Sequence, residues 1–137
     1  MNVDISYRRL VRKIHFLELV GRSLYKELAL KEKDSKLKEI YLKLSENEKQ
    51  SAKYIEKQMS NFRLSFVQKI SAGFAAFVFR LAPNKITSCF LKNILEKRMY
   101  RRWSAMYNTF NPELWHLLLE HEEIQFELLS PYWDRLK

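Results

Sequence analysis

LSENEKQSAKY, residues 44–54, sets a glutamate and a serine inside an apolar helical stripe. Leu37, Ile40, Tyr41, Leu44, Ala52, Ile55 and Met59 recur at the three- and four-residue spacing of one helix face. Glu48 and Ser51 fall together on that face, because residues three apart are neighbours on a helix. A lone carboxylate in such a stripe is costly unless it is paired, protonated or bound to a metal.

The pattern repeats on either side. A first helix is expected from near Asp4 or Ser6 to about Lys31, its inner positions Ile14, Leu17, Gly21, Leu24 and Leu28 enclosing Glu18. EKDS at 32–35 breaks the periodicity and offers Asp34 or Ser35 as the N-cap of the second helix, which should end around Ser60-Asn61. A third, more apolar segment runs from about Arg63 to Leu81 and stops at Pro83-Asn84. A fourth spans roughly 85–108, with Glu96 inside a stripe through Ile86, Cys89, Asn93, Tyr100, Trp103 and Tyr107. Asn111-Pro112-Glu113 then gives a cap, a proline at the first helical position and an acid in the first turn, so a last helix should reach Leu129 or beyond, with a kink expected at Pro131. Three acids on the inner faces of three helices suggest a common destination. The competing reading is that these are ordinary solvated glutamates and that the stripes are shifted by one residue.

The bulk properties set the frame for both. A chain of 137 residues makes one domain, 1–137, with no linker or low-complexity segment to divide it. Two Gly and three Pro leave little room for the turns of a β fold, so the chain reads as all-α. The net charge of +9 can attract an anionic membrane surface, an acidic protein partner or nucleic acid. The single Cys89 excludes an internal disulfide, suits a reducing, cytoplasmic compartment, and lies in the run CFLKNIL, where a buried thiol is expected. MNVDISYRRLVRK lacks the continuous apolar core of a signal peptide. ISAGFAAFVF, residues 70–79, falls short of the roughly 18 residues a spanning helix needs.

LYKELALKEKDSKLKEIYLKLSENEKQSAKYIEKQ resembles the first helical hairpin of the ferritin-like superfamily, particularly its rubrerythrin-type domains. The spacing of His15, Glu18 and Tyr25 is similar to an H-x-x-E-x6-Y pattern in the first helix of the demethoxyubiquinone hydroxylase family. Glu48-Lys49-Gln50-Ser51 stands where the superfamily carries E-x-x-H, and GFAAFVFRLAPNKITSCFLKNILE resembles the hydroxylase family's apolar segment leading to the third helix's metal glutamate. The resemblance implies an antiparallel four-helix bundle with an additional short apolar helix between bundle helices 2 and 3. It also implies a carboxylate site drawn from Glu18, Glu48, Glu96 and a last-helix acid.

The departures bear on the chemistry. A di-iron bundle takes E-x-x-H from two of its helices, yet the second helix carries Ser51, and aligning the last helix to it pairs Glu123 with Phe126. In another register His121 turns inward with Leu114, Leu117, Leu118 and Leu128 and could supply one nitrogen ligand. Glu113-Leu-Trp-His116 is formally an E-x-x-H but opens the helix beside a loop. Without histidine, an oxygen-rich site suits no metal or a weakly held hard cation. The expectation is therefore a ferritin-like protein with a degraded or remodelled site, working as a membrane-surface or partner-binding module. The alternative implied by the resemblance is an active di-iron oxidase or hydroxylase on a quinone-like substrate, with iron as cofactor.

Two basic clusters, Arg8, Arg9, Arg12, Lys13 and Lys97, Arg98, Arg101, Arg102, join the amphipathic FRLSFVQKISAGFAAFVFR in pointing to an anionic bilayer surface, with Phe74, Phe77, Val78 and Phe79 as apolar contacts. Nucleic acid ranks lower: Trp103 and Tyr107 could stack on bases, but no recognised motif is present. Trp115 and Trp133 with Phe126 read as core or homodimer contacts. Two glycines cannot build a P-loop or a dinucleotide fingerprint, and nothing arranges a nucleophile elbow or a zinc-type cysteine pair.

Overall fold

A computed structural model describes residues 2–58, 66–107 and 111–136. The expected end of the second helix at Met59 to Asn61, the start of the third at Arg63, the end of the fourth at 108 and the side chain of Trp133 lie outside the described residues. Among those described, secondary structure is helical throughout and there is no strand: α1 (Asn2–Lys31), α2 (Ser35–Gln58), α3 (Phe66–Leu81), α4 (Asn84–Glu96), α5 (Met99–Tyr107) and α6 (Pro112–Leu129), followed by a 3-10 helix over Ser130–Leu136.

The termini follow from local chemistry. Asp34 Oδ1 accepts the backbone N–H of Lys36 and Leu37 at 3.0 and 3.2 Å, so Asp34 caps α2. Asn111 sits in the left-handed region (φ 49°) and its side chain accepts from Leu114 N, with Pro112 and Glu113 in the first turn. The expected kink at Pro131 takes the form of a change from α to 3-10 helix at Ser130.

One interruption corrects the sequence reading. The segment expected to run unbroken from 85 to 108 breaks at Lys97–Arg98, where Arg98 has φ 49°. Its guanidinium lies over the Phe126 ring, 3.5 Å from the centroid, and pairs with Glu123. The break resets the helical phase. Ile86, Cys89, Asn93 and Glu96 therefore face outward, while Thr87, Ser88, Leu91 and Leu95 turn inward. Cys89, expected to be buried, is exposed for this reason.

Contacts fix the helix directions. Gly21 meets Glu48, Arg22 meets Ser45 and Tyr25 meets Tyr41, so residue numbers rise along α1 as they fall along α2. α5 also runs against α1, through Tyr7 with Tyr107, Lys13 with Trp103 and Glu18 with Tyr100. α6 runs against α2, through Ser51 with His121 and Glu48 with Gln125. The C-terminal end of α3 is tied to the end of α1: Lys31 Nζ donates to the carbonyls of Phe79 and Ala82 at 2.8 and 2.7 Å, satisfying groups that a helix end leaves open. The chain thus returns along the molecule in α3 before descending again through α4 and α5.

The core has two apolar clusters. One gathers Leu24, Leu28, Leu37, Leu44, Leu91 and Leu129 around Tyr25 and Tyr41. The other gathers Val11, Ile14, Ile55, Leu114, Trp115 and Leu118. Along α1, α2 and α6 the buried side chains separating the clusters are polar except for Ala52.

Candidate functional site: a carboxyl layer between the apolar clusters

Glu18, Glu48, Ser51, His121, Glu122 and Gln125 are all buried and occupy the level between the two clusters. Helical spacing places them there: each lies between inward-facing apolar residues of its own helix, one or two turns away on either side. Glu18 and Glu48 are hydrogen-bonded to each other. The Tyr100 hydroxyl donates to Glu18 Oε1, Gln125 Nε2 donates to Glu48 Oε1 at 2.7 Å, and the Tyr25 hydroxyl donates to Gln125 Oε1 at 3.1 Å. The result is a continuous chain from Tyr25 to Tyr100 drawn from four helices.

Desolvation sets its protonation. Burial, then the charge of Glu18 and the hydrogen bond to it, push Glu48 well above the ordinary carboxyl range, against the opposing Gln125 bond. Burial also raises Glu18, while its bonds to Glu48 and Tyr100 pull it back. Two carboxyls in contact cannot both ionise cheaply, so the pair shares a proton. Burial and the two carboxyls raise Tyr100 and Tyr25, keeping both phenols as donors.

Ser51 and His121 form the adjoining part of the layer. Ser51 Oγ lies 2.6 Å from His121 Nδ1 and 3.2 Å from the Asn47 carbonyl. Burial lowers His121, favouring neutral imidazole. The serine at the expected histidine position is therefore bonded to the one inward histidine of α6. Glu122 has a different task. Its carboxylate accepts the backbone N–H of Tyr100 at 3.2 Å and that of Arg101, the open donors of the first turn of α5, and so caps that helix from α6.

Of the residues singled out in the sequence, Glu18, Glu48, Ser51 and His121 reach this layer. Glu96 does not: it is exposed at the end of α4 and lies 3.8 Å from Lys92. Glu123 is exposed and pairs with Arg98. Its neighbour Glu122 is the buried acid, a one-residue difference in the register of α6. Among the described residues no three His, Cys, Asp or Glu side chains are grouped so as to hold a metal. Glu113 accepts from the Tyr54 hydroxyl at 3.2 Å, and His116 is exposed, so that E-x-x-H opens outward. Gln125 was not singled out; its signal was its place three residues after Glu122 on an otherwise apolar face.

A cavity of about 150 Å³ abuts the layer. Its walls are largely apolar, from Leu17, Val20 and Leu24 of α1 and Leu91, Ile94 and Leu95 of α4, and Glu48, Gln125 and Tyr100 lie at its polar side. Phe90, exposed to solvent, stands at its rim and contacts Phe79 of α3, the rings 6.1 Å apart.

The outer surface of α3 is apolar. Val67, Ile70, Phe74, Phe77, Val78 and Leu81 are exposed, continued on α4 by Ile86 and Phe90, while Phe79 packs against the core. No described helix is long and apolar enough to cross a membrane. Arg8, Arg9, Arg12, Lys97, Arg101 and Arg102 are exposed; in the antiparallel packing of α1 on α5, Arg101 and Arg102 fall at the level of α1 between Lys13 and Glu18, with Lys97 farther toward its middle. Lys13 lies over Trp103 at 5.5 Å, and both Trp103 and Tyr107 pack on the second apolar cluster. No family model, curated protein or solved structure matches the chain.

Proposed function

We propose that this chain is a ferritin-like four-helix bundle, remodelled at its site, that works at the surface of an anionic membrane. The helix directions support the bundle: α1 up, α2 down, the α4–α5 pair down and α6 up, with α3 as the single long crossover between the second and third bundle positions.

Remodelling rests on the donor set. A di-iron centre of this class takes four carboxylates and two histidines. Here Glu18 and Glu48 share a proton, Glu96 and Glu123 point to solvent, Glu122 caps α5, and Nδ1 of His121 is held by Ser51. These residues do not fit such a centre. Two irons per chain with an oxygen-dependent absorbance change, after expression in iron-rich medium, would contradict this part of the proposal.

The observation that carries the membrane role is the exposed apolar face of α3 and α4, set in a stretch with no acidic residue between Glu56 and Glu96 and with Lys69, Arg80 and Lys85 exposed around it. A helix of this kind lies in the bilayer interface, held by apolar burial and by attraction of basic residues to anionic lipid. Phe74 and Phe77 are 66% and 55% exposed, so their transfer into the acyl boundary contributes together about 2–4 kcal/mol, at about 1.5–3 kcal/mol for a whole side chain. Each basic residue near the surface adds about 1 kcal/mol.

Vesicle flotation tests the reading. The unmodified chain should float with phosphatidylserine-containing vesicles, less so in high salt as the charges are screened. Phe77→Asp, a substitution on an exposed position that leaves the core untouched, should keep its melting transition and lose flotation even at low salt. Undiminished flotation of that folded variant contradicts the role assigned to α3.

A further inference from the structure

The cavity beside the carboxyl layer has a shape and a charge that the membrane reading leaves unexplained. At about 150 Å³ it matches the size of cavities that stay dry and take up benzene-sized molecules. It is not sealed: half-buried Leu17 and Val20 on one side and Ile94 on the other lead outward to the exposed ring of Phe90.

Its electrostatics run against those of the chain. Lys and Arg outnumber Asp and Glu by 25 to 16, yet among the described residues no basic side chain lines the cavity, and Glu48 and Glu122 do. Glu122 is occupied by the amides of α5. Among the described residues the Glu18–Glu48 pair is bonded to neutral donors, Tyr100 and Gln125. A buried negative charge met by neutral donors alone gains from a cation in reach. Gly21 keeps the approach narrow, since its missing Cβ is what lets the Glu48 carboxyl lie against α1.

We infer that the cavity is a binding site for a small hydrophobic primary amine, its apolar body among Leu24, Leu91 and Leu95 and its ammonium group on Glu48, the member of the Glu18–Glu48 pair that lines the cavity. The apolar walls select against a bare metal ion, which needs oxygen ligands on several sides. The pair selects against a plain hydrocarbon, which leaves the charge unmet. An ammonium group supplies three donors to the free carboxyl lone pairs, and charge-assisted bonds of this kind are about twice as strong as neutral ones. The inference needs no bilayer and does not rest on the membrane role.

Titration calorimetry and thermal shift of the full chain, without vesicles, test it with benzylamine, benzyl alcohol and toluene as probes. Benzylamine should bind at least about tenfold more tightly than the other two, a margin of about 1.4 kcal/mol. The double variant Glu18→Gln/Glu48→Gln, which keeps both side chains' shapes and removes the pair's negative charge, should erase that margin while leaving toluene binding unchanged. Ile94→Phe, which narrows the mouth, should weaken all three; if that variant does not fold, the Glu18→Gln/Glu48→Gln comparison carries the test alone. Equal binding of benzylamine and toluene overturns the inference, as does absence of binding by any probe. Benzylamine binding that the Glu18→Gln/Glu48→Gln variant leaves intact places the amine on surface carboxylates and overturns it too. So does manganese(II) raising the melting temperature where benzylamine does not.

Discussion

Gly21→Ala probes the carboxyl layer from the backbone side. Gly21 lies in the interior of a 30-residue helix, where glycine is about 1 kcal/mol less favourable than alanine. In open space the substitution would therefore stabilise the protein and, for a chain of this size, raise the melting temperature by roughly 3 °C. The space is not open. A Cβ at this position would stand 3.1 Å from Cδ of Glu48, 3.2 Å from Oε2 and 3.4 Å from Oε1. A free carboxyl at the end of a flexible side chain would swing away at little cost, but this one is held by Gln125 at 2.7 Å and by Glu18. Retreat from the new methyl group stretches buried hydrogen bonds, each worth about 1 kcal/mol, on top of an overpacking cost of about 1 kcal/mol or more.

The expected balance is a net destabilisation of about 1 kcal/mol, read as a lower urea midpoint with an unchanged slope. The same substitution in a Glu48→Ala background should recover the helical gain of about 1 kcal/mol, so the cycle should show about 2 kcal/mol of coupling. A Gly21→Ala variant more stable than the parent, with additive behaviour in the cycle, would refute the claim that the Glu18–Glu48–Gln125 network locks that carboxyl in place.

Three further outcomes follow from the layer. Glu48 holds a proton in the folded state that the unfolded chain releases, so its contribution to stability is fully present below the ordinary carboxyl pKa and is lost as pH rises toward the raised folded value; Glu48→Gln should therefore be more stable than the parent at pH 8, with the advantage fading near pH 4, as measured by urea unfolding at both. Glu122→Ala removes the acceptor at the start of α5 and should cost about 1–2 kcal/mol, with faster amide exchange at Tyr100 and Arg101. Ser51→Ala leaves the buried Nδ1 of His121 without its 2.6 Å partner and should cost about 1–3 kcal/mol in the same unfolding assay.

Much of the helical layout was legible because its signals are local. Asp34 and Asn111-Pro112 cap their helices through bonds to residues two or three positions away, and such spacing can be read directly from a sequence. Glu18 and Glu48 could be placed inward because apolar neighbours flank them on unbroken helices. Glu96 could not, because its inward reading assumed one helix from 85 to 108. The break that turned it outward depends on Arg98 adopting a left-handed conformation that glycine or asparagine would have announced. What holds Arg98 there, Phe126 and Glu123, lies some 25 residues further along the chain. The exchange of Glu123 for Glu122 is a phase error of one residue, to which α6 is prone because residues on most of its circumference are apolar. Phe74, Phe77 and Val78 are exposed on α3, as the bilayer reading of that segment required, while Phe79, expected with them, packs against the core.

The membrane-facing role of α3 and α4 is the central claim, and Cys89 offers the most direct measurement of it. It is the only cysteine in the chain, it is exposed, and on α4 it stands beside the exposed Ile86 and Phe90. An environment-sensitive fluorophore attached there should shift to the blue and gain intensity when phosphatidylserine vesicles are added. The same label on Cys89→Ser/Glu120→Cys, where the new thiol lies on the exposed side of α6, should not respond. An unchanged spectrum at Cys89 in the presence of vesicles that carry the protein through flotation would show that another surface makes the contact, and would contradict the account.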